Sequence, residues 1–284
     1  MSSLVSTGQK SKQWLGKTAK YTVLLFVALM WVIPYIWMIG ASFKSDEDIT
    51  ISYFTLFPED PTLESYQRAI ETLKIHFYIL NSFIVSISAV VLQTAVCALA
   101  AFALARLNLP GAGVLLLAFI ATMMVPEEAM MVPLFLLLRG LRLINTYRGM
   151  ILPLIPWGFS VYVLSEFFKQ IPKEIEESAI VDGCPIFKIF IRIILPLARP
   201  ALGAVLIFSF IMTWDQLVIP LLVITKQSMM TVPLGLANSA QHEAGENHAM
   251  LAAATVIATL PSILIFVLFQ RQFIRGMTMG SLKG

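Results

Sequence analysis

Six apolar runs, each near the length of a membrane crossing, limit what this chain can become more than any other feature. They cover residues 21–43, 79–105, 114–138, 150–168, 201–223 and 250–270. A helix of about 20 apolar residues crosses a hydrocarbon core of about 30 Å. In lipid every backbone donor and acceptor has to be satisfied within the protein, so closed helices fit this pattern, and the strand-type alternation of a membrane barrel is absent. The expected fold class is therefore all-α, a polytopic membrane protein built as a six-helix transmembrane bundle. Composition agrees, with 58% hydrophobic residues, 13% charged residues and a mean hydropathy of +0.81.

Orientation follows from the basic residues. With the N-terminal segment 1–20 on the cytoplasmic side, thirteen of the 20 lysines and arginines lie inside, so both termini are expected to be cytoplasmic. Arg139, Arg142 and Arg148, between the third and fourth runs, go against the bias. The first run is longer than the roughly 7–15 apolar residues of a secretion signal and is read as a retained helix. Cys97 falls in a span and Cys184 on the inner side, so a bridge between them is not expected.

The soluble parts are short. The outer loop 44–78, the loop 224–249 and the inner segment 169–200 are each about 25–35 residues, too small for an independent core of ordinary size. The chain contains neither a G-x-x-x-x-G-K-[ST] phosphate loop nor an H-E-x-x-H zinc helix. His242, Glu243 and His248 come nearest, but positions 242 and 248 point about 240° apart on a helix. No metal site or catalytic residue is expected, and any ATP is hydrolysed by another chain.

The inner segment carries the most specific chemistry. Pro172 suits the start of a helix, Glu174, Glu176 and Glu177 favour its positive end, and Gly183 can take the left-handed conformation that closes it. The spacing predicts a helix of about 11 residues, followed from Pro185 by a second short helix ending near Leu195 and Pro196. Ile175, Ser178, Ala179 and Asp182 fall on one narrow stripe that suits a partner's groove. The alternative is an amphipathic helix lying on lipid, where three glutamates would face an anionic leaflet.

Glu177-Ser178-Ala179, Asp182-Gly183-Cys184 and Ile194-Leu195-Pro196 resemble the E-A-A-x-x-D-G-A signature of ABC importer permeases. Ile171-Pro172-Lys173-Glu174, Trp214-Asp215-Gln216, Thr231-Val232-Pro233-Leu234 and the segment 276–284 are similar to the smaller permease of maltose-type carbohydrate importers. Ser178 and Cys184 stand where alanine is common in that family, and Asp215 where asparagine is frequent. The resemblance implies a bacterial or archaeal cytoplasmic membrane and a heterodimer with a second permease. It also implies two ATPase subunits holding ATP and Mg, and an extracytoplasmic solute-binding protein. Nucleic acid is not among the expected partners. The elbow 172–195 would dock on the ATPase through Glu174, Glu176, Glu177, Ser178, Ala179, Asp182 and Gly183. The C-terminal tail 271–284 would reach the ATPase interface with Gly280 and Lys283. ATP-driven closure would then move the elbow as a lever and alternate access to a cavity.

Polar residues within the spans mark a candidate pathway. Taken as straight helices, the third and fifth runs place Glu127, Glu128 and Asp215 roughly 20 Å from their cytoplasmic ends, in the outer half. An ionisable group in a span normally faces protein or water. One reading is a polar vestibule in which these carboxylates and Gln216 meet a neutral sugar or polyol beside flat faces from Trp157, Tyr162 or Trp214. The other pairs the glutamates with Arg139 or Arg142 and assigns the tryptophans to the interfacial aromatic belt. Asn81, Ser82, Gln93 and Thr94 are read as helix-packing groups. A stand-alone secondary transporter or channel is the alternative function. Such proteins commonly carry internal repeats, which are not seen here. A membrane-embedded protease using Glu127 and Glu128 is a further one, without a metal-ligand cluster or nucleophile-base pair to support it.

Overall fold

The computed structural model describes residues 3–51, 55–242 and 248–279, and these contain helices and no strand. In chain order the first helices are α1 (Ser3–Ser42), α2 (Asp46–Ile51), α3 (Glu64–Glu71), α4 (Ile75–Arg106) and α5 (Ala112–Thr122). Next come α6 (Glu127–Gly140), α7 (Tyr147–Ile151) and α8 (Gly158–Gln170), with a 3-10 turn at Leu152–Leu154 between the last two. The elbow holds α9 (Lys173–Val181) and α10 (Ile186–Ile189), a π turn at Phe190–Ile194, and α11 (Leu195–Leu197). The chain ends with α12 (Arg199–Trp214), α13 (Val218–Val223), α14 (Val232–His242) and α15 (His248–Met279). Among the described residues three helices are long and apolar enough to cross a membrane, and up to six spans result if each bent pair counts as one.

The straight spans match the expected runs except at their ends. Run 79–105 lies within α4 and run 250–270 within α15, whose Pro261 is accommodated without a break. The first helix starts at Ser3, well before run 21–43, because nothing in the lysine-containing stretch ahead of Tyr21 stops a helix. Run 114–138 is not one straight span. It divides into α5 and α6 with a bend of 99°. Pro126 has no N–H to donate and disfavours helix at Val125, so it caps α6 in an extended conformation. Run 150–168 bends by 43° where the 3-10 turn meets α8, and run 201–223 is interrupted between α12 and α13 at residues 215–217. The elbow's second helix ends close to the expected Leu195 and Pro196. It runs through the π turn to Leu197, and α12 begins after a bend of 79°.

The chain forms two compact units. The first comprises Met1–Leu73 with Ala240–Ile257. Here Ala41, Ile49 and Ala249 form a small buried cluster against Trp37 and Ala252, and Asp46 pairs with Arg68. Lys44 is buried, and its ammonium donates to the Thr55 carbonyl at 2.9 Å. The acidic segment after α1 is thus tied down by hydrogen bonds around a small core.

The second unit comprises Lys74–Ser239 with Ala258–Gly284 and is built around α4. Cys97, Ala98, Ala101 and Phe102 of α4 pack against Val161, Leu164 and Phe168 of α8 and Ala201 and Val205 of α12. Lipid tails are as apolar as these side chains, so close packing of small residues is what holds such helices together. Gly158 illustrates the closeness: a Cβ there would sit 2.2 Å from the Phe119 carbonyl oxygen of α5. At the opposite end of α4, buried Asn81 does more than pack. Its amide donates to the Ser228 and Met230 carbonyls at 3.0 and 2.9 Å and accepts from the Tyr147 hydroxyl at 2.6 Å. Val232 N–H donates to Ser82 Oγ at 2.8 Å, so two span residues fix the segment leading into α14.

Candidate functional site

The elbow is closed by local chemistry. The Gly183 N–H donates to the Ile180 carbonyl and the Cys184 N–H to the Ala179 carbonyl, both at 2.9 Å, with Gly183 at φ +73°. This pair of bonds around a left-handed residue is the Schellman ending. The helix before it has 9 residues where about 11 are expected, because Pro172 caps it from outside. Ala179 and Cys184 both pack against the buried cluster of α4, α8 and α12, which holds the turn against the helical body.

The expected docking stripe is divided. Ala179 turns inward, while Ile175, Ser178 and Asp182 stay exposed. Glu176, three residues before Ala179, shares its inward face, so of the three glutamates only Glu174 and Glu177 are open to a partner. The outer apolar surface is instead Ile180, Val181, Ile186 and Phe187, with Val181 86% exposed. Gly280 and Lys283 lie outside the described residues.

Glu176 turns inward because Arg106 waits there. This guanidinium ends α4, is 2% exposed, and lies 3.0 Å from Glu176 Oε1. It also donates to the carbonyls of Phe168 and Ile171 at the end of α8, where backbone acceptors have no helical partner. Sequence reasoning counted Arg106 only as an inside charge. An arginine closing a long apolar span ahead of an acidic elbow was the available signal. Burial pushes the Glu176 carboxyl above its ordinary value, while Arg106 and then Lys173 pull it back and Glu177 raises it. For an acid raised on folding, the stabilising contribution is full below the unfolded pKa and fades as pH rises through the folded one. Purified wild-type protein should therefore lose thermal stability relative to Glu176→Gln as pH climbs through the carboxylate range. Parallel pH profiles for the two proteins would contradict this.

The second cluster lies where α6 and α13 begin. Gln216 donates from Nε2 to Glu127 Oε1 at 3.0 Å, and its own Oε1 accepts from the Val218 N–H at 2.9 Å. One amide thus joins a carboxylate to a helix start, with Asp215 next to it in sequence. Glu127, Glu128 and Asp215 are all exposed in this chain. Among the described residues neither glutamate is ion-paired with Arg139 or Arg142. For the glutamates the depth of about 20 Å inferred from a straight third span does not carry over, since α5 rises only about 16 Å before the chain turns, whereas α12 runs unbroken to Trp214 beside Asp215.

The two tryptophans part company. Trp157 is half-buried and stacks on Phe208 at 5.7 Å and 8°, with Tyr162 exposed nearby in sequence. Trp214 offers no free face: it is 2% exposed, packs on Phe83 and Phe210, and donates its indole N–H to the Ala258 carbonyl at 3.2 Å. Neither the vestibule nor the interfacial belt accommodates a ring enclosed in this way.

Broken helices around a central span, an exposed acidic elbow and a polar cluster at the helix breaks define a multi-pass membrane transport subunit. The chain belongs to the family described as binding-protein-dependent transport system inner membrane component, which matches residues 97–279. Among its relatives is the sulfoquinovosyl glycerol transport system permease protein SmoH of Agrobacterium fabrum, 30% identical over 286 residues and covering 100% of both chains. The diacetylchitobiose uptake system permease protein DasC of Streptomyces coelicolor is 35% identical over 278 residues, 95% of this chain and 97% of its own. The trehalose/maltose transport system permease protein MalG of Thermococcus litoralis is 31% identical, over 92% and 94% of the two chains. The fold matches a chain in a crystal structure of a bacterial ABC transporter involved in import of the acidic polysaccharide alginate. That match has a TM-score of 0.81 at 20% identity and covers 92% and 98% of the two chains. Membership makes this chain an inner-membrane component of a binding-protein-dependent transport system.

Proposed function

We infer that this chain is the smaller permease of an ATP-driven carbohydrate importer, taking a neutral sugar, oligosaccharide or polyol. It pairs with a second permease to form the pathway, and both termini face the cytoplasm. Two partner ATPases hold ATP and Mg beneath it, and an extracytoplasmic binding protein delivers the solute. The elbow 172–195 is the ATPase contact, and Gly280 and Lys283 in the tail belong to the same interface.

The observation that carries this reading is the elbow itself. Its inner side is locked to the helical body while Glu174, Glu177, Asp182 and the apolar side chains of Ile180, Val181 and Phe187 are bare. A contiguous apolar surface rimmed by charge marks a protein contact. The carbohydrate class is supported by the permeases named for diacetylchitobiose and for trehalose/maltose. A neutral solute fits Glu127, Glu128 and Asp215, which offer hydrogen-bond acceptors to hydroxyls and like charge to an anion. The stand-alone transporter has no comparable use for an exposed elbow.

The complex in vesicles should take up neutral sugars in preference to matched acidic ones, and Asp215→Asn and Glu127→Gln should each alter that uptake by several-fold. The Glu127 variant also weakens the link to Gln216, so its effect should be the larger. Accumulation of acidic sugars alone, indifferent to both substitutions, would remove these carboxylates from the pathway.

A further inference from the structure

We propose that Arg106 is the positioning residue that carries elbow movement into the spans, by holding the ends of α4, α8 and the elbow helix α9 as one piece. The inference rests on the reading of the elbow as the ATPase contact. Through the backbone, α9 is attached only to its sequence neighbours: to α8 across Ile171 and Pro172, and to α10 across the turn at Gly183. The central span α4 has no such link. A push on α9 reaches it through side chains alone.

Apart from the packing of α8 on α4, those side chains are few. Phe102 of α4 meets Phe190 at 4.9 Å and Phe168 at 6.5 Å, and Ala179 and Cys184 touch the same cluster. Such contacts are non-directional and can slide. Arg106 supplies direction: one end of its planar guanidinium donates to the Phe168 and Ile171 carbonyls, while its Nε lies 3.0 Å from the Glu176 carboxylate as an ion pair. The two side chains are 2% and 14% exposed, so parting them would strand a charge away from water. The junction is held together because its broken state is so unfavourable. Electrostatics act the same way, since the guanidinium sits at the negative ends of α4 and α8 while Glu176 lies in the first turn of α9.

The test uses the complete transporter, co-expressed with its partner permease, ATPases and binding protein and reconstituted in liposomes. Uptake, ATP hydrolysis and recovery of ATPase with the complex are measured on the same preparation. Arg106→Met keeps an unbranched apolar side chain but leaves Glu176 stranded. The double variant Arg106→Met with Glu176→Gln removes that charge, so it stays testable if the single variant folds poorly. The double variant should retain its ATPase while uptake per ATP hydrolysed falls on the order of tenfold, the scale of a lost coupling interaction. Arg106→Lys, a point charge without the fork, should fall between this and wild type. Wild-type uptake per ATP in the double variant overturns the proposal, as does a fall in uptake matched by equal falls in hydrolysis and in recovered complex. A Gly183→Val complex measured alongside separates the two readings: if it too keeps normal uptake and ATPase recovery, the elbow assignment is what fails.

Discussion

Replacing Trp214 with alanine should remove about 3–5 kcal/mol of stability, the usual loss when a buried tryptophan or phenylalanine is truncated. The ring is enclosed by Phe83 at 4.9 Å and Phe210 at 5.6 Å, and its N–H reaches the Ala258 carbonyl. Truncation therefore opens a hole between helices of the second unit and forfeits aromatic contacts as well as a hydrogen bond. Trp214→Phe should be much milder, because the ring contacts persist and the lost donor served a single carbonyl. Thermal unfolding of the purified complex measures both. The surviving Trp214→Phe transporter should keep its solute preference. A changed preference among sugars at unchanged stability would put Trp214 back in the pathway.

Trp214 also marks the limit of what the sequence discloses. A tryptophan at the end of an apolar run has the same local signature whether it lines a cavity, anchors at the lipid interface or fills a gap between helices. Only the position of Phe83 and Ala258, far away in sequence, decides among these. Which acid Arg106 meets was hidden for the same reason, since its carboxylate partner lies on an element 70 positions further along. By contrast, the features written in neighbouring residues were readable. The apolar runs located the spans, and Gly183 foretold the end of the elbow helix. The divided stripe on that helix lies between these cases. The i, i+3, i+4 spacing lists which residues share a face, and several such lists are possible on 9 residues. The inward face is the one holding Glu176 and Ala179, because the guanidinium and the apolar cluster await it from other helices.

A β-branched residue at Gly183 should disable transport while leaving the membrane body intact. At φ +73° a valine is strained by its own backbone, and no atom lies within 4 Å of the Cβ position, so crowding plays no part. The strain is on the order of 1–3 kcal/mol. It falls on a turn whose two hydrogen bonds tie Gly183 and Cys184 back to the end of α9, at 2.9 Å each. The chain can relieve it by opening the turn, which unseats Cys184 and Ala179 from the cluster and lets the outer face of α9 drift from its contact. Gly183→Asn provides the control, because asparagine tolerates left-handed backbone far better than valine. With membrane insertion monitored in parallel, Gly183→Val should lose most uptake and part of its bound ATPase, and Gly183→Asn should keep most of both. Equal losses in the two variants would trace the effect to the added side chain at the contact and not to the backbone. Normal uptake and ATPase recovery in the valine variant would mean that the turn is not part of the lever.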